Sequence, residues 1–484
     1  MKAPQRTDHS NETQVINLYQ KPVRGNVEKY DWPRPPGFEP FAHQKTTSEF
    51  LVTRRKAFCF NEQGTGKTAS VIWAVDYLMK LGLLRRVLIA CPLSVMRSAW
   101  QDDFFKFAIH RSVDIAYGTA DKRKKIINGM AEVIIINFDG IGIVKKEIIA
   151  GGFDLVVIDE ASAYKNVQTE RWKDLRDVMK TVKGLWMLTG TPAAQSPVDA
   201  YGLAKLINPV NTPKFFGQFR DMVMDKTSMY RWTPKIGADR TVHKILQPAI
   251  RFEKHQCLDL PPLTYVDREA PLSSQQNSYY NMLKKQMVIQ ADDEDVTAVN
   301  AAVQINKLLQ ISGGAVYTDN KEVLEFDVSG RLNVVKEVIE EASHKTLVFV
   351  PFTHTIQILK QFLDKHNISN EVISGDTPVK KRSDIVREFQ SHPNPRVLVI
   401  QPMAASHGLT LTAADTIVWY SPVTSVETYL QANARIDRPG QKSNMTVVHI
   451  KGSPVEDRLY KLLRSNMRQH AKIIDLYKQE IRAA

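Results

Sequence analysis

The sequence predicts an α/β fold of two parallel-sheet lobes in tandem, each carrying helical insertions. Short apolar runs alternate with helix-period segments through the first half: KAFCF then ASVIWAVDYLMKL, RRVLIAC then SVMRSAWQDDFFKF, followed by AEVIIIN, FDLVVID and KGLWMLTG. The alternation recurs after Pro261-Pro262 and a largely helical stretch from Leu272 to about Gln310, as KTLVFVPF, HTIQILKQFLDKH, NEVIS, VKKRSDIVREFQ, PRVLVIQ, DTIVWYS, SVETYLQANARI and NMTVVHI. Uninterrupted apolar strands separated by helices belong to parallel sheets covered on both faces. The length of 484 residues also exceeds what a single core usually serves.

In order along the chain, residues 1–38 are polar and Pro-punctuated and read as a flexible N-terminal segment. Residues 39–260 read as the first lobe, residues 261–484 as the second, with a last helix from about Pro454. A composition of 43% hydrophobic, 24% charged and 8% aromatic residues excludes a chain-wide disordered or fibrous state. The start lacks the apolar run of a signal peptide, and no segment reaches the roughly 18 consecutive apolar residues of a membrane span. Cys59, Cys91 and Cys257 are too scattered for a disulfide framework or a zinc site, which points to reducing cytoplasm, while the lack of a long apolar run points away from membranes. A net charge of +13 favours a polyanionic partner, nucleic acid first, although excess lysine also serves solubility.

The first motif is NEQGTGKTAS, Asn61 to Ser70, between a strand and a helix. Successive backbone N–H groups and a helix N-terminus there make an anion cradle, in which Gly64 and Gly66 permit a tight turn beside phosphate oxygens and Thr65 is a further nucleotide-binding candidate. Lys67 is placed to reach β and γ phosphates, and Thr68 to bind Mg²⁺. Asn61 stands where the first glycine of this pattern usually lies. The second motif is FDLVVIDEAS, a buried strand ending in Asp159 and Glu160. Ligands of parallel sheets lie off the carboxyl ends of strands, so Asp159 is expected beside the cradle as a Mg²⁺ ligand, with Glu160 polarising an attacking water. The third is QANARIDRPGQ, with Arg435 and Arg438 three residues apart. Such a pair on a helix is commonly solvated charge; given a phosphate site, it is also a candidate pair of arginine fingers.

Taken together, these stretches resemble helicase superfamily 2, and more specifically its Snf-type DNA translocases in a compact, bacterial or phage-like form, from about Phe41 to Tyr460. The resemblance implies two RecA-like lobes and an ATPase that uses ATP and Mg²⁺. FAHQ is similar to the family's glutamine motif, which implies that Gln44 contacts adenine. CPLSVMRSAWQDDFFKF is similar to motif Ia, which implies that Pro92 to Ser94 touch the DNA backbone. DEASAYKN resembles motif II, MLTGTPAAQSPVDAYGLAKLINP motif III, SHGLTLTAADTIVWY motif V and the arginine stretch motif VI. By the same resemblance Asn137, Thr191, Gly375 and Thr410 are expected at the nucleic acid and Gln431 at the nucleotide. Arg435 and Arg438 are expected to reach an ATP held by the first lobe. The pattern departs from the family at Ser162, where many relatives have histidine, at Ala193-Ala194-Gln195, and at Ala405-Ser406 in place of a Gly-Gly pair. His407 reads as a packing or surface residue.

FFGQFRDMVMDKTSMYRW and LSSQQNSYYNMLKKQM fall where the family carries helical protrusions, one per lobe, although ordinary core-covering helices would read the same way. The expectation is a monomeric, DNA-dependent ATPase that moves on double-stranded or branched DNA in repair, recombination or replication. It would work in the cytoplasm of a bacterium or of a phage-infected host. A strand-separating DNA or RNA helicase and an ATP-gated nucleic-acid clamp remain the alternatives.

Overall fold

The computed structural model describes residues 15–16, 22–23, 30–193, 196–227, 232–257, 260–293, 298–317, 322–405 and 409–465. The readings made for Ala194-Gln195, for Ser406-His407-Gly408 and for the chain beyond residue 465 lie outside these. The chain divides into two compact units, one running to Cys257 and the other beginning at Leu258. Each is built on a parallel sheet with helices on both faces, as tandem RecA-like lobes are.

The first sheet has seven strands in the order Ala249–Ile250, Lys56–Cys59, Gly184–Leu188, Leu155–Ile158, Val87–Cys91, Val133–Asn137, Val113–Ala116. Every neighbouring pair is parallel. Successive side chains of a strand point to opposite faces, and the central strands are apolar on both. Leu88, Ala90, Val156 and Ile158 enter one core, while Val87, Ile89, Leu155 and Val157 enter the other. The helix Lys67–Lys80 is buried continuously from Ala69 to Met79, as a helix that is apolar all round must be.

The N-terminal segment is not loose over its whole length. Tyr30 and Trp32 are buried, Trp32 meets Trp73 edge-on at 5.6 Å, and Phe38 packs on Phe107. Tyr30 donates to Asp76 at 2.6 Å, and the Trp73 indole donates to the Pro33 carbonyl at 2.8 Å. Polar, Pro-rich spacing hid three aromatics, Tyr30, Trp32 and Phe38, that pack onto the lobe.

The first insertion also differs from an all-helical one. After the helix Phe216–Val223 comes an antiparallel pair, Met224–Lys226 with Trp232–Pro234. Phe219, Val223 and Val242 are buried in the lobe's own core, so much of this insertion is covering layer.

The second sheet has six strands in the order Leu263–Glu269, Met445–Lys451, Ala414–Trp419, Lys345–Phe349, Val397–Ile400, Asn370–Ile373, all parallel. Its two faces again carry separate cores. The long helices Ser274–Asp293 and Ala298–Gly313 form its insertion, and a helix occupies 454–465.

Candidate nucleotide and nucleic-acid site

The strand Lys56–Cys59 delivers the chain into Asn61–Gly66, and the helix beginning at Lys67 carries it away. Gly64 and Gly66 have φ of 83° and 77°, values that glycine adopts without the penalty a Cβ brings. At Gly66 a Cβ would also collide with the Gln44 amide. Lys67 donates from Nζ to the carbonyls of Asn61 and Glu62 at 2.9 and 3.1 Å, so its ammonium lies folded over the loop that would cradle phosphate. Thr65 is buried and its hydroxyl donates to Glu62 O.

Gln44 is tied to this loop. Its Oε1 accepts from Phe41 N–H at 3.0 Å, and Nε2 approaches Gly66 O at 3.5 Å. Neighbouring His43 contacts the Thr65 carbonyl at 2.8 Å. Burial, its largest influence, lowers the affinity of this imidazole for a proton.

The strand Leu155–Ile158 ends at Asp159 and Glu160, one strand removed from the loop. Asp159 accepts the Glu160 N–H on Oδ1 at 3.1 Å and the Trp100 indole N–H on Oδ2 at 2.9 Å. Glu160 has φ 52° and ψ 57°, a left-handed conformation that costs a non-glycine residue about 1–2 kcal/mol. Cys59, at the end of the loop's own strand, is pushed up to about 11 by burial, and it senses the charges of both Lys67 and Asp159. The two motifs therefore share one end of the sheet.

The oxygens of Thr68 and Asp159 suit Mg²⁺, a hard cation that takes one or two protein oxygens and completes its shell with phosphate and water. Each Asp159 oxygen has one N–H donor among the described residues, and a carboxylate has about four acceptor directions, so capacity remains.

Two contributors escaped sequence reasoning. Arg251, buried and about 190 positions downstream, donates to the Phe60 carbonyl at 2.6 Å and to Gly190 O at 3.2 Å, and lies 3.4 Å from Glu62. Phe252 N–H and Lys254 N–H donate to Asn61 Oδ1 and Glu62 Oε2. The segment that follows the last strand of the lobe, Arg251 to Lys254, thus clamps the entrance of the loop, which explains an asparagine at position 61. Gln63 is the second: both its amide atoms are buried with no hydrogen-bond partner among the described residues, beside Gly190. Its only sequence signal was membership of the loop.

Among the expected nucleic-acid residues of this lobe, Pro92 is buried and Ser94 half-buried just past Cys91. Asn137 closes the strand Val133–Asn137, and its Oδ1 accepts from Arg123 at 2.8 Å. Thr191 is buried, and its hydroxyl has no hydrogen-bond partner among the described residues.

In the second lobe the helix Val426–Asn433 ends before the arginines, with Ala434 as its cap. Arg435 and Arg438 therefore occupy the following turn and not one helix face. Arg435 is only 3% exposed, which removes the reading of a solvated charge at that position. Its Nε donates to Gln431 O at 2.8 Å, replacing an amide donor that the broken helix no longer supplies. Both guanidinium groups donate to Leu409 O, at 3.2 and 3.0 Å, and Arg438 reaches Thr410 Oγ1 at 2.8 Å. Burial pushes Arg438 down to about 10, which leaves it a cation at neutral pH. Gly375 stands apart, exposed beyond the edge strand, with its N–H on Gln401 Oε1 at 2.9 Å.

The SNF2-related domain family matches residues 43–315, more than half of the chain. The chain belongs to the SNF2-related family. A helicase conserved C-terminal domain matches residues 330–440. This SNF2-related chain is 27% identical over 402 residues to an uncharacterized ATP-dependent helicase of Mycoplasma genitalium, covering 81% of this chain and 37% of that protein. It is 25% identical to a chromodomain-helicase-DNA-binding protein 1-like of Mus musculus, covering 86% and 47%. It is 24% identical to the SWI/SNF-related regulator of chromatin subfamily A-like protein 1 of Xenopus laevis, covering 88% and 43%. The chain thus spans less than half the length of these relatives. Among solved structures, the Sulfolobus solfataricus SWI2/SNF2 ATPase core in complex with dsDNA aligns at 21% identity and a TM-score of 0.44, over 91% of this chain and 94% of that one.

Proposed function

We propose that the protein is an ATP-driven translocase on double-stranded or branched DNA, working as a monomer in DNA repair, recombination or replication. The observation that carries this reading is geometric: the glycine loop bearing Lys67 and the strand ending at Asp159 lie at the same end of one parallel sheet, with a single strand between them. A loop of backbone N–H groups, a lysine and a carboxylate at one sheet end are what phosphoryl transfer from a nucleotide requires.

In this reading Lys67 leaves the Asn61 and Glu62 carbonyls for the β and γ phosphates. Thr68 and Asp159 would hold Mg²⁺, which would supply neutralisation of charge on those phosphates. Glu160, aimed by its left-handed backbone, orients the attacking water and takes its proton. Arg435 and Arg438, braced on the Leu409 carbonyl, meet the charge developing on the transferred group. Thr410 shares a hydrogen bond with Arg438, so a track contact at Thr410 and a nucleotide contact at Arg438 would move together, linking hydrolysis to grip. Pro92, Ser94, Asn137 and Thr191 of the first lobe and Gly375 of the second are the proposed contacts to phosphodiester backbone, and such contacts carry no base sequence.

The test is ATP turnover measured with duplex DNA, branched DNA, single-stranded RNA and no nucleic acid, together with displacement of a third strand from a triplex. Duplex and branched DNA are expected to stimulate turnover most, binding is expected to weaken steeply with salt, and the triplex strand is expected to be displaced. Efficient unwinding of a tailed duplex with triplexes left intact would establish a strand-separating helicase instead.

A further inference from the structure

The indole of Trp100 is the one side chain described as touching Asp159, and its position in the chain gives that contact a second meaning. Trp100 is fully buried among Val95, Met96 and Phe104. It lies in Met96–Gln101, a π-helical turn in which Asp102 N–H reaches back five residues to Arg97 O. Such turns are rare and gather at functional sites, because the wider winding re-aims one side chain. Directly before it, Leu93–Val95 forms a single 3-10 turn, with Leu93 46% exposed. The strand before that, Val87–Cys91, pairs with the strand that ends at Asp159, and Asp159 N–H donates to Ala90 O at 2.9 Å. One short run of chain therefore has a solvent-facing residue, Leu93, beside half-buried Ser94, and a buried end on the carboxylate.

We infer that Trp100 is a positioning residue: its N–H fixes the direction of the Asp159 carboxylate, sets the affinity of that carboxylate for a divalent cation, and makes this affinity respond to phosphodiester backbone bound at Pro92–Ser94. The inference rests on the ATP-site reading above and deepens it. Glu160 N–H holds one oxygen from the neighbouring backbone and cannot move independently of Asp159, whereas the indole holds the other oxygen from a separate element. A shift of the 3-10 turn under a bound strand is transmitted through the packed Val95 and Met96 to the ring, and the ring turns the carboxylate. Partners that orient metal ligands in this way commonly alter metal affinity by about 10- to 100-fold when removed.

The decisive variant is Trp100→Phe, which keeps an aromatic ring in the core and deletes the N–H. Binding of a fluorescent, non-hydrolysable ATP analogue is measured in EDTA and across a Mg²⁺ titration, with and without duplex DNA. In the wild type, duplex DNA is expected to shift the Mg²⁺ concentration that half-saturates tight binding. In Trp100→Phe that concentration rises roughly tenfold and no longer shifts with DNA, while binding in EDTA is unchanged. An unchanged Mg²⁺ requirement, equal weakening in EDTA, or a DNA-dependent shift that survives the substitution or is missing from the wild type overturns the inference. Wild-type protein that binds no analogue in any condition defeats the ATP-site reading instead. If Trp100→Phe does not fold, the indole N–H resonances of isotope-labelled wild-type protein decide the matter. One of them must respond to Mg²⁺ added to the nucleotide complex and lose that response in Asp159→Asn; no such resonance overturns the inference.

Discussion

In the second lobe Arg331 and Glu456 meet through two parallel hydrogen bonds of 2.8 Å, with 3% and 0% of their side chains exposed. In the first lobe Lys67 and Asp159 remain half-exposed, the lysine on two carbonyls and the aspartate on one N–H per oxygen. The N–H groups of Gly452 and Ser453 donate to the Glu456 carboxylate as well, so that pair is saturated and serves to fix the helix Ser329–Glu341 to the helix 454–465. Completeness of pairing separates scaffold from site here, more than charge or burial does. Buried ions must be satisfied within the protein, whereas a site keeps capacity for what it will bind.

The comparison is most sharply challenged in the first lobe. Lys67→Ala is expected to reduce DNA-stimulated turnover by more than roughly a thousandfold, and Glu160→Gln by about a hundredfold or more, with nucleotide still bound by the second variant. Thermal melting of Lys67→Ala should stay close to wild type, since only two carbonyl contacts are lost. Phosphate release and melting curves measured on the same samples check both parts, and normal turnover by either variant breaks the comparison.

Arg438 tests whether the distinction follows lobes or pairing. Although it belongs to the second lobe, it is held by hydrogen bonds to the Leu409 and Ala434 carbonyls and the Thr410 hydroxyl, with the neighbouring Asp437 acting on it through its charge. Arg438→Ala is expected to lower turnover by roughly a thousandfold with little loss of stability. Arg435→Ala should lose a similar factor but also destabilise, because Arg435 caps Gln431 O from a buried position. Single-turnover kinetics beside denaturant unfolding separate the two effects.

Arg331→Ala should do the reverse. Leaving Glu456 buried without its counter-ion costs about 3–5 kcal/mol of stability, read as an earlier unfolding midpoint, while nucleotide binding by the first lobe persists at temperatures where the variant is folded. A variant of unchanged stability would show that saturation is not what marks scaffold.

A further expected effect is a pH slope. His449 is fully buried, contacts Tyr429 OH at 2.8 Å and Asp267 at 3.2 Å, and is pushed down to about 4, first by burial and then by the Arg464 charge. Its proton affinity is lower folded than unfolded, where the ordinary value is about 6.5. The unfolded chain therefore binds more protons as acid is added, and stability contributed by neutral His449 is lost as pH falls from about 6.5 towards 4. His449→Gln should flatten that part of the stability profile in denaturant titrations at stepped pH.

Much of this architecture was legible because its signals are local. A strand, a glycine pair and a lysine lie within a dozen residues at the loop, and FDLVVIDEAS announces both its burial and its abrupt end. The arginine spacing was equally plain, but the helix stops at Asn433, which spacing alone does not reveal; the Arg435 side chain completes the final turn instead. What escaped depends on residues distant in sequence. Arg251 reaches Phe60 across about 190 positions, and Trp100 reaches Asp159 across 59; neither residue type is unusual for its neighbourhood. Tyr30, Trp32 and Phe38 were hidden for another reason: prolines and charges around them lower the mean hydropathy of the segment while the rings do the packing.

Glu160 sits at φ 52°, in a region where glycine or asparagine would rest more comfortably. A population of variants sorted only for resistance to heat should therefore drift at this position toward Gly, whereas one sorted for ATP turnover should not move. Glu160→Gly is expected to melt above the wild type by an amount matching about 1 kcal/mol while losing turnover, and a lower melting temperature would argue against it. A position where durability and activity select different amino acids is a signature that a single chain can reveal without any homologue to compare it with.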